Sequence, residues 1–176
     1  MVFSTEHLEF RNLIRNFVKK EMLPYHEQWE KEGDFPRSLI KKLGDLGALG
    51  LRVNPQYGGL GLDYWYTVIM CEELVRSYSV GAAVSILAHA EFAIKVIDDV
   101  GSEEHKKNFL EPAVKGETIW GLGLTEPDFG SNVAGIKTSA RKQGDDLIIN
   151  GSKTFISNGS IADYVMLAVR TGDPGS

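Results

Sequence analysis

The stretch WGLGLTEPDFGSNVAGIKTSARKQGDDLIINGSKTFISN, residues 120–158, decides the fold because the hydrophobic periodicity of the chain changes there. Before it, apolar residues recur at helical spacing. Within it they alternate or form short runs that Gly, Pro, Asn and Asp interrupt. We expect residues 125–131 and residues 155–159 to form two walls of one ligand site, with the preceding helices as scaffold and third wall.

The residues from 118 onward predict an antiparallel β domain. Gln143-Gly144-Asp145 and Asn150-Gly151 have the composition of hairpin turns, which join antiparallel neighbours. An incomplete sheet would leave an unpaired edge. We therefore expect the chain to be a fragment, or a partner to complete the sheet. Strands are expected at residues 119–125, 136–141, 147–150, 154–157 and 164–170.

The first 117 residues predict a bundle of four or five helices. Phe10, Leu13, Ile14 and Phe17 fall at i, i+3, i+4 and i+7, and Ser4 precedes them as an N-cap candidate. Residues 80–100 are almost continuously apolar, which is typical of a central, buried helix. The sequence thus predicts an α+β chain, with an all-helical domain at 1–117 and an incomplete antiparallel β domain at 118–176.

Composition excludes several classes of partner. Lys and Arg number 19 against 24 Asp and Glu, and the net charge of -5 argues against a nucleic-acid surface. We expect no apolar run long enough to span a bilayer and see no secretory signal. The expected location is the bacterial cytoplasm, or the mitochondrial matrix for a eukaryotic chain.

The sequence also argues against metal, disulfide and common nucleotide motifs. Cys71 is the single cysteine, and the four histidines lack partners at helical spacing, so no metal site is predicted. Gly121-Leu122-Gly123 begins a dinucleotide fingerprint, but Glu126 stands where its third glycine belongs. A Gly-Lys-Ser/Thr phosphate loop is missing as well.

A strand ending at Thr125 that enters the loop Pro127–Ser131 remains as a candidate site. Pro127 fixes the turn, Gly130 lets backbone approach a ligand closely, and Ser131 offers a hydroxyl and an N–H group. Such a loop can hold a polar ring edge and a pyrophosphate. The alternative is a hairpin loop without a ligand, and residue chemistry alone favours that alternative.

Three linked motifs resemble the middle-domain signature of the acyl-CoA dehydrogenases. They are Leu-Thr-Glu-Pro-x-x-Gly-Ser-x-x-x-Gly-Ile-x-Thr from residue 124, Asn-Gly-x-Lys from 150 and Phe-Ile-Ser-Asn-Gly from 155. In the helical half, the Tyr57-Gly-Gly-Leu-Gly loop, Cys71-Glu-Glu-Leu and Gly101-Ser-Glu-Glu-His-Lys are similar to the N-terminal domain of that family. The likeness covers the whole chain and is strongest to the long-chain-type members.

The resemblance implies an FAD-dependent enzyme that desaturates acyl-CoA thioesters at the α,β bond, in fatty acid or amino acid catabolism. It also implies electron-transfer flavoprotein as acceptor, a homodimer or homotetramer, and a C-terminal helical bundle that this sequence lacks. In most of the family the catalytic base is a glutamate in that bundle, beyond Ser176. No catalytic residue is therefore expected in this chain, which alone would be inactive, and Glu126 and Asp128 are interpreted as loop structure.

Position by position, the resemblance implies a set of FAD contacts and a smaller set of substrate contacts. Ser131 is common to both sets. Small side chains on the central helix would end the acyl tunnel, although ordinary helix packing explains them equally well. The FAD contacts are Leu122, Leu124, Thr125, Gly130, Ser131, Phe155, Ile156 and Ser157; the substrate contacts are Ser131, Ala88 and His89.

Five positions depart from the common pattern of the family. Phe155 stands where many members have Trp, which keeps an aromatic ring but loses the indole N–H. Ser157 often appears as Thr, Asn132 replaces Asp, and Asp128-Phe129 replaces Gly-Ala. Two other functions remain open: a non-catalytic binding or assembly module with this fold, and a flavin oxidase or monooxygenase.

Overall fold

Helix α1 (Thr5–Phe17) begins at the predicted cap. Ser4 Oγ accepts a hydrogen bond from the His7 N–H, and His7 Nδ1 accepts one from the Ser4 N–H, which closes a capping box. The chain continues through a π-helical turn (Val18–Met22) and a 3₁₀ turn that contains Pro24. Because proline lacks an N–H, the helix is interrupted there.

The computed structural model describes residues 3–172, and helices occupy most of the first two thirds of that range. Asp63 and Ser102 cap α4 and α7 with their side-chain oxygens. π-helical turns at Ala88–Ala93 and Lys106–Leu110 join α5 to α6 and α7 to α8. The remaining helices are α2 (His26–Glu32), α3 (Ser38–Asp45), α4 (Tyr64–Leu74), α5 (Val80–Leu87), α6 (Ile94–Val100), α7 (Glu103–His105) and α8 (Glu111–Val114).

The helix from Val80 to Val100 is long and apolar enough to cross a membrane by length and composition. The expectation that no segment reaches that length was therefore wrong. However, 56% of the most apolar 18-residue stretch of this helix is buried within the fold. Ala83, Ile86 and Ala90 pack into the main hydrophobic cluster, with side chains of α1, α3 and α4. A helix surrounded by others is apolar on most of its faces, which explains its composition.

Helices α1 and α4 are joined by a buried ion-pair cluster around Glu73. The Glu73 side chain is fully buried and accepts hydrogen bonds from Arg11 Nη1 at 3.0 Å and from Arg15 Nε and Nη2 at 2.8 and 2.7 Å. Charged hydrogen bonds of this kind satisfy a carboxylate that burial would otherwise penalise. Neighbouring Glu72 also contacts Arg11, but its side chain is 49% exposed.

Within residues 3–172, four strands follow the helices: β1 (Trp120–Gly123), β2 (Ser139–Gln143), β3 (Asp146–Asn150) and β4 (Tyr164–Leu167). The predicted turn at Gln143-Gly144-Asp145 joins β2 to β3 as an antiparallel hairpin, with Gly144 at φ +64°. The α+β architecture is thus confirmed. Strands β1, β2 and β4 are shorter than predicted and β3 is one residue longer, while Arg170, in the last part of the predicted strand 164–170, makes an isolated bridge to Ser139.

The pairing of β1 with β4 corrects the purely antiparallel prediction, because these strands run parallel. The prediction rested on tight turns, whereas the whole β2–β3 hairpin separates β1 from β4 and leaves room for a crossover connection. Trp120 lies opposite Tyr164 in this register, and their rings stack with centroids 4.8 Å apart. Trp120 also belongs to a buried cluster with α6 and α8 side chains, which fixes β1 against the helices.

Residues 154–157, predicted as a strand, form an irregular loop, and Asn150-Gly151 does not form a hairpin turn. Gly151 has φ +151°, and a Cβ atom there would lie 2.4 Å from Thr138 Oγ1. The glycine therefore serves close backbone approach after β3 rather than a reversal of the chain. Hydrogen bonds at Thr154 and Asn158 hold the two ends of this loop, so its side chains are placed by these contacts and not by strand pairing.

Candidate functional site

The two predicted walls lie side by side. The Thr154 N–H donates a hydrogen bond to the Thr125 carbonyl at 2.9 Å, and Lys153 Nζ donates one to the Leu124 carbonyl at 3.0 Å. A Cβ atom at Gly121 would lie 3.0 Å from the Ser157 carbonyl oxygen. Glycine at 121 thus allows the segment after Lys153 to approach β1 closely.

Glu126 holds the loop that follows β1. Its Oε2 accepts from the Lys137 N–H at 2.6 Å, and its Oε1 accepts from the Thr138 N–H at 2.8 Å and from Lys153 Nζ at 2.9 Å. Burial raises the pKa of this carboxyl, but the hydrogen bonds together outweigh burial and lower the pKa to about 2. A carboxylate that is ionised and fully engaged has a structural role, which agrees with its interpretation as loop structure.

The loop after Glu126 is a tight turn whose tip faces solvent. The backbone groups of Glu126 and Phe129 bond reciprocally, at 2.9 and 3.1 Å. Asp128 and Phe129, which differ from the common Gly-Ala pair, both contact Lys137. The Lys137 Nζ atom lies 5.1 Å from the centre of the Phe129 ring and 3.6 Å from Asp128 Oδ2. Gly130 and Ser131 follow in exposed positions, with open space around Gly130.

Phe155 is the most exposed large hydrophobic side chain of the site, with 91% of its surface accessible. Its backbone has φ +54°, a left-handed conformation that is uncommon for a bulky residue. Conformations of this kind cluster at ligand-binding loops, where the surrounding structure enforces them. The ring is therefore presented to solvent by the loop and is free to stack on a flat partner.

Ser157 lines a hollow of about 440 Å³ between this loop and the helices. The other walls include Trp29, Phe35, Val84 and Ser85. Thr125 and Ser131 do not line this hollow, and Ile156 is half-buried, with Cγ2 about 3.5 Å from a Cβ position at Gly121. The structure thus brings Thr125 beside the second wall, while the convergence of Thr125, Ser131 and Ser157 on one ligand stays a prediction.

Two backbone donors at the end of β1 are available to a ligand. The carbonyls of Leu124 and Thr125 are bonded to Lys153 and Thr154, whereas their N–H groups donate to no other residue in the range 3–172. All peptide bonds of the described chain are trans, so each N–H points opposite to the carbonyl of its own peptide unit. Free backbone donors and an exposed aromatic ring on two joined segments fit the polar edge and the face of a flat heterocycle such as a flavin.

Asn158 belongs to the Phe-Ile-Ser-Asn-Gly motif, and its role at the site was not predicted from the sequence. Its side chain is buried, its Nδ2 donates to the carbonyls of Ser85 and Trp120 at 3.0 Å each, and its Oδ1 accepts from Ser85 Oγ. With φ +67° it also turns the chain at the end of the loop. Asn158 therefore ties residues 155–157 to α5 and β1 at once. The Asn-Gly pair, typical of left-handed turns, was the available signal.

Replacing Asn158 by Gly is expected to lower the free energy of unfolding by roughly 2–3 kcal/mol, because three side-chain hydrogen bonds of about 1 kcal/mol each are lost. Glycine tolerates the left-handed backbone, so strain is not introduced. Urea unfolding followed by circular dichroism measures the change. Asn132→Gly, at an exposed position, supplies the control for the flexibility of glycine, and equal losses in both variants would contradict the anchoring role.

Both ring nitrogens of His89 form hydrogen bonds with backbone groups. The Trp120 N–H donates to Nδ1 and Nε2 donates to the Ala113 carbonyl, each at 3.1 Å, which fixes the neutral ring with its proton on Nε2. Burial lowers the pKa of His89 to about 4, although the bond to Ala113 favours the protonated ring. His89 is fully buried and Ala88 almost so, and packing accounts for both residues. Their contact with a substrate stays a prediction.

Among residues 3–172, no group of three or more His, Cys, Asp or Glu side chains is arranged to hold a metal ion.

Models of two protein-family domains match the chain. Residues 4–117 match the N-terminal domain of acyl-CoA dehydrogenases, and residues 121–176 match the middle domain. The mitochondrial long-chain specific acyl-CoA dehydrogenase of Sus scrofa is 38% identical over 170 residues, which cover 97% of this chain and 39% of that enzyme. The chain thus spans well under half the length of this relative.

Solved structures give the same result. The crystal structure of an acyl-CoA dehydrogenase from Geobacillus kaustophilus superposes with a TM-score of 0.91 at 40% identity, covering 99% of this chain and 45% of that one. An acyl-CoA dehydrogenase from Bacillus anthracis, solved in complex with FAD, has a TM-score of 0.89 at 33% identity, covering 97% of this chain and 29% of that one.

Proposed function

The chain belongs to the acyl-CoA dehydrogenase family, and from this premise we propose that it forms the helical and flavin-facing parts of an enzyme that desaturates acyl-CoA thioesters with FAD. The observation that carries the proposal is the joining of residues 121–126 to residues 153–158. This contact leaves the Leu124 and Thr125 N–H groups and the Phe155 ring without partners among residues 3–172. The B. anthracis relative was solved with FAD, which supports the same cofactor here.

In this proposal the end of β1 holds the pyrimidine edge of the flavin. The Leu124 backbone and the Thr125 hydroxyl donate there, where donors stabilise negative charge on a reduced ring. Gly130 lets the backbone approach the pyrophosphate and Ser131 donates to it, while Leu122 lines the ring. Bound FAD supplies the acceptor for hydride leaving the β-carbon of the substrate.

The loop 155–157 forms the second wall. Phe155 stacks on the ring, Ile156 packs behind it, and the Ser157 hydroxyl orients the flavin near the atom that accepts hydride. Asn158 keeps this loop in place through its bonds to Ser85 and Trp120. The exposed and strained backbone of Phe155 supports this assignment, because packing within the described chain gives that ring no cover.

The chemistry also needs a base that removes the α-proton from the side of the substrate opposite the flavin. Glu126 is unsuited, because its carboxylate is bonded to Lys137, Thr138 and Lys153. We assign the base to a glutamate beyond Ser176 and no catalytic residue to this chain. The domains are 1–117 and 118–176, the latter completed by further sequence.

The substrate is a long-chain acyl-CoA, with Ser131 at the CoA end and the small Ala88 with His89 at the end of the acyl tunnel. The likeness to the long-chain enzyme of Sus scrofa supports this choice. Electron-transfer flavoprotein accepts the electrons, and the complete enzyme is a homodimer or homotetramer. It works in the bacterial cytoplasm, or in the mitochondrial matrix of a eukaryote.

The test compares the 176-residue chain with one extended past Ser176 by the adjoining coding sequence. We expect the extended protein to be yellow and its flavin absorbance to bleach anaerobically when long-chain acyl-CoA is added, whereas the shorter chain does not turn over. A colourless, inert extended protein would refute the proposal. Faster reoxidation by oxygen than by electron-transfer flavoprotein would indicate an oxidase or monooxygenase. A stable, monomeric and flavin-free short chain, together with an inactive extended protein, would indicate a binding or assembly module.

A further inference from the structure

Lys153 is a buried cation that the proposed function leaves unused. Only 8% of its side chain is exposed, and its Nζ donates to the Leu124 carbonyl at 3.0 Å and to Glu126 Oε1 at 2.9 Å. A buried ammonium is costly unless it is paired, and Glu126 provides the pair. The contact with a backbone carbonyl is additional to this pairing and needs its own explanation.

The Leu124 carbonyl and the Thr125 N–H are the two ends of one peptide unit. A cation bonded to the carbonyl oxygen draws electron density towards it, which makes the N–H of the same unit a stronger donor. Because the peptide is trans, that N–H points away from Lys153. The Thr125 carbonyl is fixed by the Thr154 N–H, so the plane of the next peptide is held as well.

The negative charge of Glu126 offsets the positive charge of Lys153 only in part. The carboxylate is shared between the backbone N–H groups of Lys137 and Thr138 and the ammonium, and this sharing spreads its negative charge towards β2. The ammonium, in contrast, has the Leu124 carbonyl as its other partner. The Leu124 carbonyl therefore contacts an ammonium whose charge Glu126 offsets only in part.

We propose that Lys153 is a positioning and electrostatic residue of the flavin site, which polarises the Leu124–Thr125 peptide so that it stabilises the reduced flavin over the oxidised one. The inference rests on the proposed function, since it places the pyrimidine edge of the flavin at that peptide. A stronger donor favours the form of the ring that carries more negative charge, and this raises the reduction potential of bound FAD.

The first test needs no cofactor. Amide resonances of Thr125 are measured by NMR in the wild-type chain, Lys153→Met and Lys153→Arg. Methionine keeps the length of the side chain without its charge, and arginine keeps the charge. We expect the Thr125 amide nitrogen to move upfield in K153M and to stay near its wild-type position in K153R. An unchanged Thr125 resonance in a folded K153M chain would overturn the proposal, whatever the flavin does.

The second test measures the reduction potential of FAD bound to the extended protein. K153M is expected to reduce the preference for reduced over oxidised flavin about tenfold, which corresponds to about 30 mV for a two-electron couple. Glu126→Gln removes the opposing charge and is expected to shift the potential in the opposite direction. If Lys153 and Glu126 only supported the fold, the two variants would not shift the reduction potential in opposite directions.

The outcomes separate the two proposals. An upfield Thr125 shift with an unchanged potential in K153M overturns the electrostatic role of Lys153 while leaving the proposed function standing. A wild-type extended protein that binds no FAD overturns the proposed function and the role of Lys153 at the flavin, even if the Thr125 shift is observed. If E126Q does not fold, the contrast between K153M and K153R still decides, because equal potentials in those two variants contradict the role of the charge.

Discussion

Glu73→Gln is expected to lower the free energy of unfolding by about 3 kcal/mol, the low end of the range for a broken buried ion pair, because Arg15 loses its carboxylate while Arg11 keeps Glu72. Glu73 is fully buried and receives three hydrogen bonds from Arg11 and Arg15, which connect α4 to α1. The hydrogen bond from Arg15 lowers the pKa of this carboxyl and outweighs the opposing effect of burial, with Arg11 adding to it. Glutamine keeps the shape but turns an N–H₂ group towards guanidinium donors.

Urea unfolding at neutral pH measures this effect, and Glu72→Gln is its matched control. Glu72 is the preceding residue and also pairs with Arg11, but its side chain is half exposed. Exposed ion pairs contribute about 0–1 kcal/mol, so E72Q is expected to change little. Similar losses in the two variants would show that the buried cluster does not join the helices in the way its geometry indicates.

The second large effect is a loss of stability in acid that depends on His89. Its pKa is lowered to about 4 in the folded chain against 6.5 as the ordinary value. The unfolded chain therefore binds a proton more readily, and stability falls as pH decreases from 6.5 towards 4. The difference amounts to about 3 kcal/mol over that range, since each pKa unit corresponds to about 1.4 kcal/mol.

Free energies of unfolding measured in urea between pH 7 and pH 4.5 test this prediction. Glu73 and Glu126 have lowered pKa values, so their contributions are present above the ordinary value of 4.5 and are lost only below it. Most of the window thus lies above the range in which these carboxyls titrate, and the comparison with a variant that lacks His89 removes their contribution at its acid end. His89→Gln is expected to be less stable at pH 7 but to lose much less on acidification. Parallel pH curves for both proteins would contradict the assignment.

The local elements of the helical half were predictable from the sequence because their signals lie within a few residues of each other. Ser4, Asp63 and Ser102 cap helices where a hydroxyl or carboxylate precedes an apolar stripe. The Gly144 turn was predictable for the same reason, since a hairpin of this kind requires a residue with positive φ. Strand ends were less predictable, because pairing decides them and the partners are distant in sequence.

Some features of the candidate site were likewise predictable from the sequence, and others were not. The motifs at 124–131 and 155–159 identified both walls and the family, and the structure places residues 121–126 against residues 153–158. The motifs contain Lys153 and Asn158, but their contacts could not be predicted, since each side chain bonds to backbone far away in the chain. Glu126 was correctly interpreted as loop structure, but its partners at Lys137 and Thr138 required the fold.

The sequence by itself determined the division into a helical part and a β part, the cap of α1 at Ser4, and the motif series that identifies the acyl-CoA dehydrogenase family. The tertiary structure alone decided the parallel pairing of β1 with β4, the burial of His89 between Ala113 and Trp120, and the exposure of Phe155. The physical reason is the separation along the chain of the residues that interact. Helix caps and turns depend on torsions and hydrogen bonds between near neighbours, whereas burial and strand pairing depend on contacts between segments that the sequence keeps apart.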